Sequence, residues 1–245
     1  MSGSPPPRPA PSGVVPRLPF LPGIKAVLFD IYGTLLISEA GESHPDPRIR
    51  TAIEAAHAAS GLPFPEVDIR EIHAALHPAL APAEIEELAL RHELACNPTA
   101  EMPGAAGTLR ALHRRGFTLG LISNAQFYTL PVLEENLHAP LEALGIDPGL
   151  VVFSYQLLRA KPDPSLFKAA RALLAGRGIA PAAVLYLGND VRNDIDPARA
   201  AGFRTALFAG DACSLRLRGT SPEDCGADAV LTELCQLLQI TGGES

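Results

Sequence analysis

The chain has 245 residues, 47% of them hydrophobic and 19% charged, with a formal net charge of −7. That length suits one large α/β domain, or a core domain carrying a small accessory one, around a substantial apolar core. No apolar run approaches the roughly 20 residues that span a bilayer, and an acidic balance without a dense Lys/Arg stripe argues against binding a phosphate backbone, so neither a membrane nor nucleic acid is expected as a partner.

Residues 1–23 carry eight prolines and no apolar stretch ahead of a small-residue cleavage site. They read as a disordered or extended tail rather than a signal peptide. Residues 24–29 (I-K-A-V-L-F) are short, β-prone and nearly all apolar, as for a strand buried on both faces of a parallel sheet. The run stops at Asp30. Similar runs recur at 117–122, 150–153, 184–187 and 203–208, with helical patterns between most of them.

Between residues 45 and 96 the pattern changes. Ile49, Ile53 and Ala56, then Ile69, Ile72 and Leu76, then Ile85, Leu88 and Leu94 recur at helical spacing, broken at Gly61-Leu62-Pro63 and at Pro78. Pro103-Gly104 leads into a helix with Leu109 and Leu112 inward, ending before Gly116. Asp163 and Pro164 open another, with Leu166, Phe167, Ala170 and Leu173-Leu174 on its inner face. The predicted class is α/β: a doubly wound, Rossmann-like parallel sheet with a small α-helical module inserted after the first strand. The expected division is a tail at 1–23, a core at 24–37 and 103–240, and the helical module at 38–102. The cysteines Cys96, Cys213, Cys225 and Cys235 form no C-x-x-C pair, so reduced thiols and a cytoplasmic location are expected.

In open α/β sheets ligands sit at the carboxyl ends of the strands, so the polar residues that follow each apolar run should converge. They are Asp30, Ser123-Asn124, Lys161, and Asn189-Asp190 with Asp194. A carboxylate near an ammonium, hydroxyl and amide donors and further carboxylates makes an anion-handling site with the composition for metal assistance. Each residue also has a plainer reading. Asp30 suits a turn cap, Ser123-Asn124 a helix N-cap, Lys161 a solvated loop, and Asp190 and Asp194 helix N-terminal acids. His44, His73, His77 and His92 fall in the helical module, where a surface position is expected, and Phe127 and Tyr128 read first as core.

Asp30-Ile31-Tyr32-Gly33-Thr34-Leu35 resembles the first motif of the haloacid dehalogenase superfamily. Ile122-Ser123-Asn124 resembles the second, Lys161-Pro162-Asp163-Pro164 the third, and the segment from Gly188 to Asp194 the fourth, all in order. The helical module is similar to the cap that these enzymes place over the site. The resemblance implies a hydrolase of a small anionic substrate, with Asp30 as covalent nucleophile. Thr34 and Ser123 would donate to the nucleophile or to the substrate oxyanion, with Asn124 and backbone N–H groups adding donors. Lys161, one of only three lysines in the chain, would neutralise charge. Asp30, the Tyr32 carbonyl, Asp190 and Asp194 would hold Mg²⁺.

The motifs also depart from the family's phosphatases. These carry a second aspartate two residues after the nucleophile, as acid to the leaving group and base to water; here it is Tyr32, as in 2-haloacid dehalogenases. Asn189 stands where an aspartate usually follows the motif glycine, leaving Asp190 one step displaced. The arginine expected to clamp a haloacid carboxylate is missing after the first motif, with Arg48, Arg50 or Arg70 as substitutes. The expectation is Mg²⁺-assisted phosphate-ester hydrolysis, with two alternatives: a metal-free 2-haloacid dehalogenase, and a non-catalytic binding or regulatory protein on the same fold.

Overall fold

The computed structural model describes residues 7–38 and 44–242. Residues 1–6 of the expected tail and 39–43 of the expected link to the helical module lie outside it. Six parallel strands form the main sheet: β1 (Ala26–Phe29), β4 (Thr118–Ser123), β5 (Ile146–Phe153), β6 (Val184–Gly188), β7 (Arg204–Phe208) and β8 (Ala229–Leu231), in the order β5-β4-β1-β6-β7-β8. The chain starts at the centre, winds outward through β4 and β5, then crosses back and winds the other way from β6. Strand β1 therefore sits at the topological switch point, with β4 and β6 as its hydrogen-bonded neighbours.

Why β1 belongs in the centre follows from its alternation. Val27 and Phe29 face one apolar layer with Leu119, Leu121, Leu185 and Leu187. Ala26 and Leu28 face the other, with Ile122, Val184 and Tyr186. All four β1 residues are fully buried, each large one contributing about 1.5–3 kcal/mol of transfer free energy. Helices cover both layers. Leu109 and Leu112 of α4 (Ala105–Arg114) and Val132, Leu133 and Leu137 of α5 (Thr129–Leu137) fill the first. Leu166, Phe167, Ala170 and Leu174 of α8 (Ser165–Ala175) fill the second. Short helices α6 (Leu141–Leu144), α7 (Ser154–Leu157), α9 (Asp196–Ala200) and α10 (Leu237–Ile240) complete the connections.

Three helices follow β1, as the spacing predicts: α1 (Pro47–Ser60), α2 (Ile69–Leu76) and α3 (Pro82–Cys96). They share an apolar cluster of Ile49, Val67, Ile69, Ile72 and Ala89, into which Tyr128 of the core reaches. In α3 the inner face is set by Ile85 and Ala89, while Leu94 is 52% exposed; the Ile85-Leu88-Leu94 stripe read from the sequence was out of frame. A two-stranded antiparallel ribbon that carries no sequence signal, β2 (Leu36–Ser38) with β3 (Thr99–Glu101), joins the two ends of this insertion. Three-residue strands are too short to display a period.

Residues 7–23 of the tail run mostly without helix or strand and lie along the core. Arg17 and Val230 exchange backbone hydrogen bonds of 2.8 and 2.9 Å, and the Arg17 guanidinium donates to the carbonyls of Ala227 and Asp228. Leu21 is buried, and its N–H reaches the Ile240 carbonyl. The segment covers the open edge of β8, an edge that would otherwise present unpaired peptide groups; proline-rich composition does not report such docking. All four cysteines are unpaired thiols. Among the described residues no helix is long and apolar enough to cross a membrane.

Candidate active site

The residues that follow the central strands meet at one end of the sheet. They line a cavity of about 350 Å³ between the sheet and the helical insertion, a volume within the range of small-molecule sites. Asp30 follows β1, its N–H held by the Leu187 carbonyl at 2.9 Å. Ser123, the last residue of β4, donates its hydroxyl to Asp30 Oδ1 at 2.8 Å. From the loop after β5, Lys161 Nζ donates to the same oxygen at 2.8 Å and to Asp194 Oδ1 at 2.5 Å. One ammonium, its side chain 3% exposed, thus serves two carboxylates.

That arrangement fixes the charge states. Burial by itself lowers the Lys161 pKa, but the carboxylates of Asp194 and Asp30 outweigh it and the net direction is up, so the residue stays an ammonium. Asp194 is pushed up to about 6 by burial, helped by the charge on Asp30 and opposed by Lys161. The two directions agree physically: a single cation cannot neutralise two buried anions fully. Tyr186 takes part as well, accepting from Lys161 Nζ at 3.1 Å with its oxygen 3.0 Å from Asp194 Oδ1 and 2.9 Å from the Ile122 carbonyl. Sequence reasoning passed over it; the one signal was a phenol inside an otherwise apolar strand.

Two glycines make the approach of these groups feasible. Gly33 has φ of +80°, and a Cβ there would lie 2.5 Å from Asn189 Nδ2. At Gly188 a Cβ would lie 2.4 Å from Asp194 Cγ. After Gly188 the fourth motif runs through a single π-helical turn, Val191–Ile195. Asp194 lies within this turn and from there reaches Lys161.

Several expected roles are filled differently. Thr34 is buried and its hydroxyl points to Asn189 Oδ1 at 3.4 Å, not to Asp30. Asn124 lines the cavity, but its Oδ1 accepts the Lys161 N–H at 2.7 Å, so its amide positions the lysine loop. The N-cap reading of Ser123-Asn124 therefore fails for both side chains. Tyr32 packs against the main apolar layer with its hydroxyl 3.2 Å from Thr129 Oγ1, and burial raises its pKa. Asp190 does cap the turn that follows it, accepting from the N–H groups of Arg192 and Asn193. It is also paired with Arg218, whose Nη2 stands 2.6 Å from Oδ2.

That pairing means Asp190 already has a cationic partner in the arrangement observed. Asp190 engages a guanidinium through both oxygens, and both Asp194 oxygens are occupied, Oδ2 by the Asp190 N–H at 3.0 Å. Asp30 and the Tyr32 carbonyl would be left to hold a divalent ion by themselves, too few for an octahedral site. Among the described residues no three His, Cys, Asp or Glu side chains stand close enough to ligate a metal. The quartet Asp30, Tyr32, Asp190 and Asp194 does not fit Mg²⁺ as placed, because Arg218 supplies the cation at Asp190 and Lys161 the one at Asp194. Arg218 lies in a loop after β7 that carries no motif, so its partner was invisible in the sequence.

The insertion contributes the other wall, with Ser38, Glu66, Glu93 and Asn97 beside Gln126, Tyr128 and Thr129 of the core. Glu66 accepts from Ser154 Oγ at 2.8 Å and Gln126 bridges the backbone of Val67 and Ile69, tying insertion to core. Tyr128 packs into the insertion's cluster and donates to Glu93 Oε2 at 3.0 Å, so it both builds core and lines the cavity. Arg70 is held by Asp68 and Glu86, and none of Arg48, Arg50 and Arg70 lines the cavity. The histidines of the insertion also lie away from it. His73 is buried, not on the surface, and stacks near His77 and His92.

Comparison with known proteins places this geometry. The family described as haloacid dehalogenase-like hydrolase matches residues 24–202. The N-acetylmuramic acid 6-phosphate phosphatase of Pseudomonas aeruginosa is 29% identical over 89% of this chain and 94% of its own length. A phosphoglycolate phosphatase of Cereibacter sphaeroides is 30% identical over 74% of this chain and 84% of its own. Among solved structures, a HAD phosphatase from Thermococcus onnurineus superposes with a TM-score of 0.55 at 20% identity, covering 90% of this chain and 99% of that one. A 2-haloacid dehalogenase from Pseudomonas syringae gives 0.52 at 22%, covering 89% and 97%. These last two share the fold.

Proposed function

Because this chain belongs to the haloacid dehalogenase-like hydrolase family, we propose that it hydrolyses a small phosphate monoester through a covalent intermediate on Asp30. The observation that carries this reading is the clamp on Asp30. Ser123 and Lys161 both hold Oδ1, which orients the carboxylate toward the cavity it lines. Phosphatase relatives aligned over most of the chain support the phosphate ester as the substrate class.

In the first step Asp30 attacks phosphorus, the ester P–O bond breaks, the alcohol departs as its alkoxide and takes its proton from water, and the phosphoryl group resides on Asp30 as an acyl phosphate. Lys161 and Ser123 hold the carboxylate in line, and the fixed ammonium stabilises charge without reorganisation. In the second step water cleaves the acyl phosphate, releasing phosphate and restoring Asp30. Tyr32 occupies the position of the family's acid. Its raised pKa and its contact with Thr129 suit it to donate a hydrogen bond, not a proton, so esters of acidic alcohols should turn over fastest. The insertion acts as a cap whose closure excludes water.

The test is rapid-quench labelling with a radiolabelled phosphate monoester, beside steady-state assays of p-nitrophenyl phosphate and 2-chloropropionate. A hydroxylamine-labile phosphoryl group on the wild type, absent from Asp30→Asn, is expected, with turnover falling about ten-thousand-fold. Retained turnover in Asp30→Asn refutes the mechanism. A second reading, displacement of halide from a 2-haloacid, is favoured by Tyr32 alone, since halide leaves without a proton; chloride release would select it.

A further inference from the structure

The cavity is electrostatically two-sided. Among the described residues, every cation that lines it, Lys161, Arg216 and Arg218, belongs to the sheet side. The half formed by the insertion and the loop after β4 offers carboxylates, amides and hydroxyls and, among the described residues, no cation: Glu66, Glu93, Asn97, Gln126, Tyr128 and Thr129. The atoms of a substrate that extend from a phosphoryl group at Asp30 toward the insertion meet this wall. A second anionic group there would face Glu93 without a counter-ion, a like-charge arrangement that works by exclusion.

The two glutamates are not equivalent. Glu66 is engaged through both oxygens, by the Val67 N–H and Ser154 Oγ, which makes it a structural tie. Glu93 accepts one hydrogen bond on each oxygen, from Asn97 Nδ2 at 2.8 Å and from Tyr128 at 3.0 Å. Each carboxylate oxygen retains acceptor capacity for a further donor. A carboxylate pre-oriented by two donors, at the edge of a cavity that also presents amides and phenols, is matched by hydroxyl groups.

We propose that the leaving group is an uncharged, hydroxyl-rich moiety, a polyol or sugar, and that Glu93 is the residue that selects it over carboxylate-bearing esters. This rests on the phosphatase reading above. It sets this chain apart from an enzyme for phosphoglycolate or for a 2-haloacid, both of which would carry a carboxylate to the acidic wall.

The experiment compares kcat/KM for glucose 6-phosphate and glycerol 1-phosphate with that for 2-phosphoglycolate, in the wild type, in Glu93→Gln and in Tyr128→Phe. The wild type should prefer the hydroxylated esters by about tenfold or more, and Glu93→Gln should shrink that ratio about tenfold by improving phosphoglycolate. Tyr128→Phe removes the hydrogen bond but keeps the charge, so it should retain the preference and separates charge from local packing. Equal or better use of phosphoglycolate by the wild type, or an unchanged ratio in Glu93→Gln, overturns the proposal. If the wild type turns over none of these esters, the hydrolase reading fails, and calorimetric binding of the same esters decides this one. Tighter binding of glucose 6-phosphate than of phosphoglycolate upholds it; the reverse order, or no binding of either, overturns it.

Discussion

Replacing Lys161 with methionine keeps most of the apolar stem of the side chain and removes its charge. In the folded protein this leaves Asp30 and Asp194 facing each other across a site where the Asp194 side chain is 1% exposed. Breaking a buried pair by deleting one partner costs about 3–5 kcal/mol, because the remaining charge has no counter-ion; here two charges are stranded, so the upper end is expected. Chemical denaturation followed by circular dichroism at pH 7.5 measures the loss, and a double variant, Lys161→Met with Asp194→Asn, should recover much of it. The pH dependence has a definite sign. Asp194 already sits at about 6, above its unfolded value, and deleting the ammonium moves it higher. A carboxyl raised in the folded state favours folding fully below its unfolded pKa and loses that contribution as pH rises through the folded one. The penalty of Lys161→Met should therefore shrink as pH falls from 7.5 toward 5. A cost under about 1 kcal/mol, or a double variant no better than the single, would refute the shared-ammonium account.

Excess chelator should leave ester turnover within about twofold of the untreated protein, while Arg218→Ala, which releases Asp190, should make turnover respond to added Mg²⁺; abolition of wild-type activity by chelator would show that the Asp190–Arg218 pair opens for a metal. Gly188→Ala places a methyl 2.4 Å from Asp194 Cγ, and because that carboxylate is held on both oxygens the variant should lose about 1–3 kcal/mol in thermal or urea melts together with most of its activity. His73 is held near 4 by burial, with His92, His77 and His44 adding to the depression and Asp46 opposing it. Its contribution to stability is present above the unfolded value and lost as pH falls from about 6.5 toward 4, so His73→Leu should flatten that limb of the melting-temperature profile.

The sheet was readable because a strand buried on both faces must be apolar throughout, and the runs at 24–29, 117–122, 184–187 and 203–208 each lie within a residue or two of a strand in the folded chain. Strand-end chemistry was readable for the same reason: a polar residue after such a run has only the carboxyl edge of the sheet to occupy, which brought Asp30, Ser123, Lys161 and Asp194 together. What the sequence determined by itself, then, was the class of fold and which residues approach Asp30. Which partner each of them takes was decided only in three dimensions. Hydrogen bonds and ion pairs here join positions tens to more than a hundred residues apart, as Lys161 to Asp30 and Arg218 to Asp190, and no local pattern encodes them. Thr34 and Asn124 carry donors suited to Asp30 yet are satisfied by Asn189 and by the Lys161 backbone. Asp190 has the chemistry of a metal ligand, but a guanidinium from an unmarked loop reaches it, because a buried carboxylate takes the counter-ion that tertiary packing delivers.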